Sequence, residues 1–228
     1  VDDIEAIVLE STGGVVMNHH FFSGNDQYFF CKDKVETLDD FKGKKTRSHS
    51  AALSDWIEGM GASAQFVAFA EVYTALERGI LDCGVTGADA SHGQRWYEVT
   101  DYMIGPLISW PFVNNVINAD KWNSIPADLQ HILLEEAAKS ELEALRIGSI
   151  QNEMGLVKNQ AEGLEFIPFS EAMAEQSLNG AVMERVVPNW VKRVGSGTHP
   201  VITDIFNPKI GPLVGLKIEA DGSVTKTK

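Results

Sequence analysis

The sequence is poor in positive charge, and this shortage limits the kinds of molecule that we expect the protein to bind. It has 19 lysines and arginines against 32 aspartates and glutamates, which gives a formal net charge of −13. Nucleic-acid binding depends on clustered basic side chains that neutralise phosphates, so we expect no nucleic-acid partner. Apolar runs are also short, and none approaches the roughly 20 residues of a membrane-spanning helix. This pattern is typical of a soluble globular protein, whether secreted or cytosolic.

Cysteine is scarce, since only Cys31 and Cys83 are present, and no CxxC or Cys/His cluster with zinc spacing occurs. The two cysteines lie far apart in the sequence, and we expect two unpaired thiols rather than a disulfide. His19 and His20 invite a metal hypothesis. However, adjacent residues of a strand point to opposite faces, and no third ligand follows at a recognisable spacing. We therefore expect neither a metal site nor a cofactor.

Catalytic motifs are missing as well. The sequence contains no GxSxG elbow, no HExxH, no Walker loop and no GxGxxG after a strand. Acidic residues are spread over the predicted helices, and their presence is explained if they lie on the helix faces exposed to solvent. An enzyme hypothesis therefore lacks a nucleophile, a pair of carboxylates or a metal.

The chain begins VDDIEAIVLE, without an initial Met and without the charged and apolar regions of a signal peptide. We interpret it as either a mature protein after processing or a fragment.

Residues 35–87 carry the clearest pattern. They alternate between a strand ending in Arg47, a helix over 50–60, a strand over 66–69, a helix over 71–78 and a strand over 80–85. This order predicts a mostly parallel sheet covered by helices.

Further elements are predicted on both sides of this stretch. Short strands are expected over 15–18 and 28–32, and a longer one over 112–118. A helix from Asp128 to about Ala161 would span about 45 Å and connect two lobes. Four more helical segments follow, the last over 199–206, and the Gly-rich tail over 208–228 is expected to be partly disordered.

Arg47 is the leading candidate for ligand binding. Its planar guanidinium matches a carboxylate through two parallel hydrogen bonds, although a structural salt bridge would also explain a strand-end arginine. Phe69 is predicted to end the next strand, and Thr86 to follow the one after. Three strand ends at one edge would provide an anion clamp, an apolar wall and a hydroxyl group, as expected of a small-molecule cleft. The segment 86–93 with Asp89 lies past a strand end, where a ligand contact and an ordinary solvated loop are both reasonable.

Ordered motifs in this region resemble a known family. They read LDDFKGKKTRS, GASAQFVAFAEVYTALERGILD and WYEVTDY, followed by Trp122 and the helix start IPADLQ. In this order and spacing they are similar to the substrate-binding proteins of TRAP (tripartite ATP-independent periplasmic) transporters. The resemblance is close over 38–136 and looser to about residue 169.

The resemblance implies a fold and a function. The fold would be the two-lobed, type II periplasmic-binding-protein-like α/β fold, with a mixed, mostly parallel sheet, a long bridging helix and an incomplete first lobe. The expected segments are 1–24 (residual N-terminal lobe), 25–115 (ligand-binding lobe), 116–165 (return strand and bridging helix) and 166–228 (C-terminal helices and tail). The function would be periplasmic capture of a small carboxylate-containing organic acid by hinge closure, for delivery to TRAP membrane subunits, without enzymatic activity.

The resemblance also assigns Arg47 as the carboxylate clamp. In a binding protein of this kind, Phe69 and Trp110 would wall the pocket. Thr86, Asp89 and Asn115 would add polar contacts, an expectation that rests on their predicted placement at strand ends. Thr86 stands where the family pattern DGQEN has Asn, Ala64 replaces the usual Pro after GAS, and an upstream arginine of sialic-acid-binding members is replaced near Gln27. These departures argue against a sialic-acid ligand and leave the acid open.

Two alternatives remain at this stage. Compared with the family, roughly 100 residues of the first lobe would be absent. The chain could therefore be an interaction fragment without a ligand of its own. Such a fragment would self-associate through the apolar face that the missing lobe would otherwise cover. It could also be an acid-base enzyme on the same fold that uses Glu71 or Asp89.

Overall fold

A computed structural model of the chain describes residues 2–21, 26–107 and 112–227. The helices are α1 (Asp2–Thr12), α2 (Ala51–Gly59), α3 (Val72–Glu77), α4 (Ala88–Gly93), α5 (Ala119–Asn123), α6 (Ala127–Ala161), α7 (Glu171–Glu175), α8 (Val187–Val194) and α9 (Gly211–Val214). The strands are β1 (Gly14–Phe21), β2 (Gln27–Cys31), β3 (Lys45–Ser48), β4 (Ser63–Phe66), β5 (Cys83–Gly87), β6 (Tyr102–Leu107), β7 (Phe112–Asn118), β8 (Glu165–Pro168), β9 (Leu216–Ile218) and β10 (Val224–Lys226). Two wide-turned π-helical segments, Gln176–Val186 and Val201–Ile210, precede α8 and α9.

Six strands form the main sheet, in the order β4-β3-β5-β2-β6-β8. Strand β3 is parallel to β4 and β5, and β6 is parallel to β8, whereas β2 is antiparallel to both of its neighbours. The predicted α/β architecture with a mixed, mostly parallel sheet is confirmed. Because β2 runs the opposite way, its first residue, Gln27, lies beside Gly87 at the end of β5.

The sheet has a hydrophobic core on each face, and the alternation along β2 shows how the sequence builds both. Phe29 and Cys31 belong to the core beneath α2, together with Ile57. Tyr28 and Phe30 belong to the core on the opposite face, together with Trp96 and the residues of α3. Complete burial of a large apolar side chain contributes about 1.5–3 kcal/mol, so β2 is a central source of stability for both layers.

Cys31 and Cys83 form a disulfide, and the expectation of two unpaired thiols is therefore wrong. They are directly opposed across the antiparallel β2–β5 pair, with Cα atoms 4.1 Å apart. The sequence hides this pairing because the intervening chain passes through β3, α2, β4 and α3 before it returns beside β2. Which strands become neighbours after such an excursion is decided by tertiary packing.

Two strands near the candidate site are displaced from their predicted positions. The strand expected over 66–69 ends at Phe66, because Phe69 already begins a 3₁₀ turn. The strand expected over 80–85 begins only at Cys83. Its start is delayed because the N–H groups of Ile80 and Leu81 donate to the carbonyl of Ala75 and close the end of α3.

Helix α6 has 35 residues and confirms the predicted long helix. At 1.5 Å per residue it extends about 52 Å. Near its middle it contacts the two-stranded ribbon of β1 and β7, where Asn18 Nδ2 donates to the carbonyl of Ala137 over 3.4 Å. Towards its end it packs against α4, where Asn159 Nδ2 donates to the carbonyl of Ala88 over 2.7 Å. The helix therefore connects the ribbon with the main sheet.

The tail predicted to be partly disordered is folded up to residue 227. Strands β9 and β10 form an antiparallel hairpin, and Ile218 packs with Val191 and Ile202 in a third small core. Gly215 (φ 67°) and Gly222 (φ 85°) adopt left-handed conformations at the turns, where glycine is favoured. The glycines that suggested disorder are thus the residues that permit these turns.

None of the helices in the described part of the chain combines the length and the apolar character needed to cross a membrane.

Candidate ligand site at the strand edge

Arg47 is buried on β3, with 5% of its surface exposed. Its Nε donates to the carbonyl of Val67 over 3.1 Å, and its Nη1 donates to the carbonyl of Val85 over 2.9 Å. These bonds fix the guanidinium between the end of β5 and the segment after β4. A guanidinium has five N–H donors, so three remain without a partner among the described residues.

No carboxylate in the described ranges forms a salt bridge with Arg47. The ring of Phe69 also faces the charge, with its centroid 5.4 Å from the guanidinium carbon. Burial lowers the pKa of Arg47, yet arginine stays protonated at physiological pH. The structural salt bridge considered from the sequence is therefore absent from this part of the chain, and the site retains a desolvated cation.

Phe69 is half-buried in the first turn after β4 and not at a strand end as predicted. Its ring also packs against Trp96, with centroids 5.7 Å apart. Trp96 is fully buried in the core beneath α3 and α4. Phe69 thus joins the apolar core to the guanidinium and presents an apolar surface next to it.

Thr86 lies within β5 and not after the strand as predicted, because β5 continues to Gly87, and it is buried with 8% exposure. It is directly opposite Tyr28 in the β2–β5 register. It also follows Val85, whose carbonyl accepts from Arg47. The structure therefore brings Arg47, Phe69 and Thr86 to one region of the sheet.

The other predicted site residues have different surroundings. Asp89, in the first turn of α4, accepts from Lys158 Nζ of α6 over 3.2 Å. Asn115 lies in the ribbon, where its Nδ2 donates to Asn18 Oδ1 over 2.7 Å. Trp110 lies outside the described residues. The ligand-binding roles of these residues stay predictions.

His49 lies two residues after Arg47 and contacts Gln27, and neither residue received a binding role from the sequence. His49 Nε2 and Gln27 Oε1 are 3.5 Å apart. Although His49 is an exposed residue, partial desolvation lowers its pKa, and the positive charge of Arg47 lowers it further. Gln27 approaches His49 because β2 runs antiparallel to β5. The pattern of apolar residues predicts a strand here but not its direction, so the sequence alone gives no signal for Gln27.

A polar contact also connects this face of the sheet with α6. Asn152 Nδ2 donates to the Tyr28 hydroxyl over 3.3 Å. Burial raises the pKa of Tyr28, and the hydrogen bond from Asn152 partly offsets this effect. The Tyr28 hydroxyl is therefore protonated at neutral pH and bonded to the long helix.

Comparison with protein families gives a match over residues 14–190 to the bacterial extracellular solute-binding proteins of family 7, the DctP family. The chain belongs to this family. The match includes Arg47, Phe69 and Thr86 together with all of α6.

Two curated relatives illustrate the range of similarity. A solute-binding protein of Sulfitobacter sp. (strain NAS-14.1) is 29% identical over 140 residues, covering 59% of this chain and 42% of the relative. The C4-dicarboxylate-binding periplasmic protein DctP of Rhodobacter capsulatus is 28% identical over 162 residues, covering 70% of this chain and 48% of the relative. The chain therefore spans less than half the length of these relatives.

Solved structures agree with the fold. DctP7 of Bordetella pertussis, an extracytoplasmic solute receptor binding pyroglutamic acid, has a TM-score of 0.76 and 21% identity, with 84% of this chain and 62% of that chain covered. A TRAP periplasmic solute-binding protein of Desulfovibrio salexigens with bound orotic acid has a TM-score of 0.75 and 20% identity, with 85% and 61% covered. The fold is thus that of the TRAP solute-binding proteins, as expected from the motifs.

Proposed function

We propose that this chain binds a small carboxylate-containing organic acid in the periplasm and delivers it to the membrane subunits of a TRAP transporter. The observation that carries the proposal is the buried Arg47, which has three unused donors and no acidic partner in the described ranges. A ligand carboxylate would supply the missing negative charge and accept two parallel hydrogen bonds. The relatives named above that bind a C4-dicarboxylate, pyroglutamic acid or orotic acid support this ligand class.

The neighbours of Arg47 define the proposed roles. Phe69 provides an apolar wall beside the carboxylate, and Thr86 offers a hydroxyl on the adjoining strand. Val67 and Val85 hold the guanidinium through their carbonyls, so its orientation is set before the ligand arrives. Such preorganisation reduces the entropic cost of binding. Trp110 is proposed as a further apolar wall, and Asp89 and Asn115 as further polar contacts because of their predicted placement near strand ends.

The first test is a thermal-shift screen of mono- and dicarboxylic acids with this chain, followed by titration calorimetry of any acid that stabilises it. Arg47→Ala is expected to weaken binding by about 1.5–3 kcal/mol, the scale of a charged hydrogen bond, or about 10- to 150-fold in Kd. Arg47→Lys retains the charge but loses the planar fork, and it should give an intermediate loss.

Arg78→Ala is the matched control, because Arg78 is an exposed arginine at the end of α3. It should leave the Kd unchanged. Equal affinity in wild type and Arg47→Ala would contradict the assigned role, provided that circular dichroism shows both variants folded. Turnover of the bound acid would instead favour the enzyme hypothesis with Glu71 or Asp89.

A further inference from the structure

A cavity lies in the C-terminal part of the fold, far along the chain from Arg47. It has a volume of about 380 Å³, within the range of small-molecule sites. Leu178, Val182 and Met183 of the first π-helical segment form one side. The opposite side is formed by residues that include Phe206, Val214 and Leu216.

About half of the residues that line this cavity lie outside the family match. The match ends at residue 190, whereas the whole of the second side lies beyond it. The folded tail creates this side, because the turn after α9 brings β9 and β10 against the first π-helical segment. The cavity therefore depends on a part of the chain that the family resemblance does not explain.

A single cation stands at the rim of this apolar cavity. Lys226 on β10 lines it and donates through Nζ to Asn179 Oδ1 over 3.1 Å. No carboxylate among the described residues forms a salt bridge with Lys226. The amide of Asn179 holds the ammonium group without neutralising it, so one negative charge can still be accommodated there.

From these features we propose that the cavity binds a medium-chain aliphatic carboxylate. The apolar side chains of the lining cannot satisfy the hydrogen bonds of a polar ligand body, which excludes the small polar acids proposed for Arg47. An alkyl chain suits such a lining, and burial of each methylene strengthens binding about fourfold. One carboxylate at the rim pairs with Lys226 and remains partly hydrated. The site is independent of the proposed transport function.

The probe for this site is decanoate, titrated calorimetrically into the intact chain, with propionate and decanol as comparison ligands. Decanoate is expected to bind at least about 100-fold more tightly than propionate because of its seven additional methylenes. Decanol should bind about tenfold more weakly than decanoate, since it lacks the charge that pairs with Lys226. Absence of decanoate binding would overturn the proposal.

Two pairs of variants locate the binding. Val214→Trp should fill the cavity and weaken decanoate binding about tenfold or more, whereas Leu213→Trp should not, because Leu213 does not line the cavity and is 83% exposed. Lys226→Glu should weaken decanoate binding about tenfold and leave decanol unaffected. Lys192→Glu is its control, since Lys192 likewise donates to an asparagine, Asn189, but lies outside the cavity.

Equal losses in Val214→Trp and Leu213→Trp, or undiminished decanoate binding in Lys226→Glu, would contradict the assignment. Arg47→Ala separates the two sites. Decanoate binding that persists in this variant supports the C-terminal cavity, whereas its loss would show that decanoate occupies the strand edge and would overturn the proposal. Failure of small polar acids to bind at Arg47 would leave the decanoate result unaffected.

Discussion

The surroundings of Arg47 combine burial, two carbonyl acceptors and an aromatic ring, without a compensating carboxylate in the described part of the chain. A protein gains little stability from such an arrangement, since a desolvated charge costs free energy unless it is paired. An unpaired, preorganised cation is suited instead to a negatively charged ligand. Arg47 therefore contributes little to folding and is well placed for binding.

His49 should report the charge state of this site. Its pKa is lowered first by desolvation and then by the positive charge of Arg47. We expect an NMR titration to give a His49 pKa below the ordinary value of about 6.5. Arg47→Gln should raise this pKa by removing the repulsion, and a bound carboxylate should raise it by neutralising Arg47.

The pH dependence of stability follows from the same shift. Between the folded and unfolded pKa values of His49, the unfolded chain binds more protons. The contribution of His49 to stability is therefore present above about pH 6.5 and is lost as the pH falls through the lower folded value. His49→Gln should remove this contribution. Arg78→Ala should leave the pKa of His49 unaltered, and a His49 pKa insensitive to Arg47→Gln would contradict the proposed coupling.

At the level of elements, the contact between α4 and α6 decides how closely the long helix approaches the sheet. A Cβ at Gly155 would lie 2.3 Å from the backbone nitrogen of Asp89 and 2.5 Å from the carbonyl carbon of Ala88. Both neighbours are backbone atoms, which cannot move aside as a flexible side chain can. Glycine is therefore required here by packing, although it lowers the intrinsic stability of the helix.

Gly155→Ala should consequently reverse the usual effect of this substitution. In an open helix interior, Gly to Ala stabilises by about 0.5–1 kcal/mol. Here, displacement of α4 should outweigh that gain, and we expect urea unfolding to show a loss of about 1–3 kcal/mol. The control is Gly93→Ala at the end of α4, where no atom lies within 4 Å of the added Cβ. A stabilising effect of Gly155→Ala would contradict the close packing.

For the whole molecule, apolar side chains on α6 remain open to solvent. Ile150 is 48% exposed, Met154 49% and Val157 66%, and these three residues follow one another at helical spacing. Exposed apolar patches on soluble proteins often mark interaction surfaces. The chain spans less than half the length of the two curated relatives described above, so its oligomeric behaviour must be measured on this chain itself.

Self-association through this face is the expected outcome. Sedimentation velocity should show a rise in average mass as protein concentration increases, and the double variant Ile150→Glu/Val157→Glu should shift the equilibrium to the monomer. Leu213→Glu is the control, because Leu213 is highly exposed but lies on α9. A constant monomer mass for the wild type would rule out this association.

Much of the local structure could be predicted from the sequence because it depends on short-range rules. Ser50 caps α2 by accepting from the backbone N–H of Leu53, and the helix then buries Trp56 and Ile57 at helical spacing. Helix α6 follows from a long stretch without proline. The sequence predicts Arg47 as the leading candidate from a strand end at that residue and from the family motifs, and β3 ends one residue later, at Ser48.

Other features were decided only by tertiary structure. The disulfide between Cys31 and Cys83, the approach of Gln27 to His49 and the pairing of Thr86 with Tyr28 all depend on the antiparallel placement of β2 beside β5. Side-chain periodicity specifies which face of a strand is buried but not which strand becomes its neighbour. The same reason explains the folded tail, whose hairpin is stabilised by packing against distant residues. The sequence thus determined the elements and the charged residue of the site, while long-range packing decided which groups surround it.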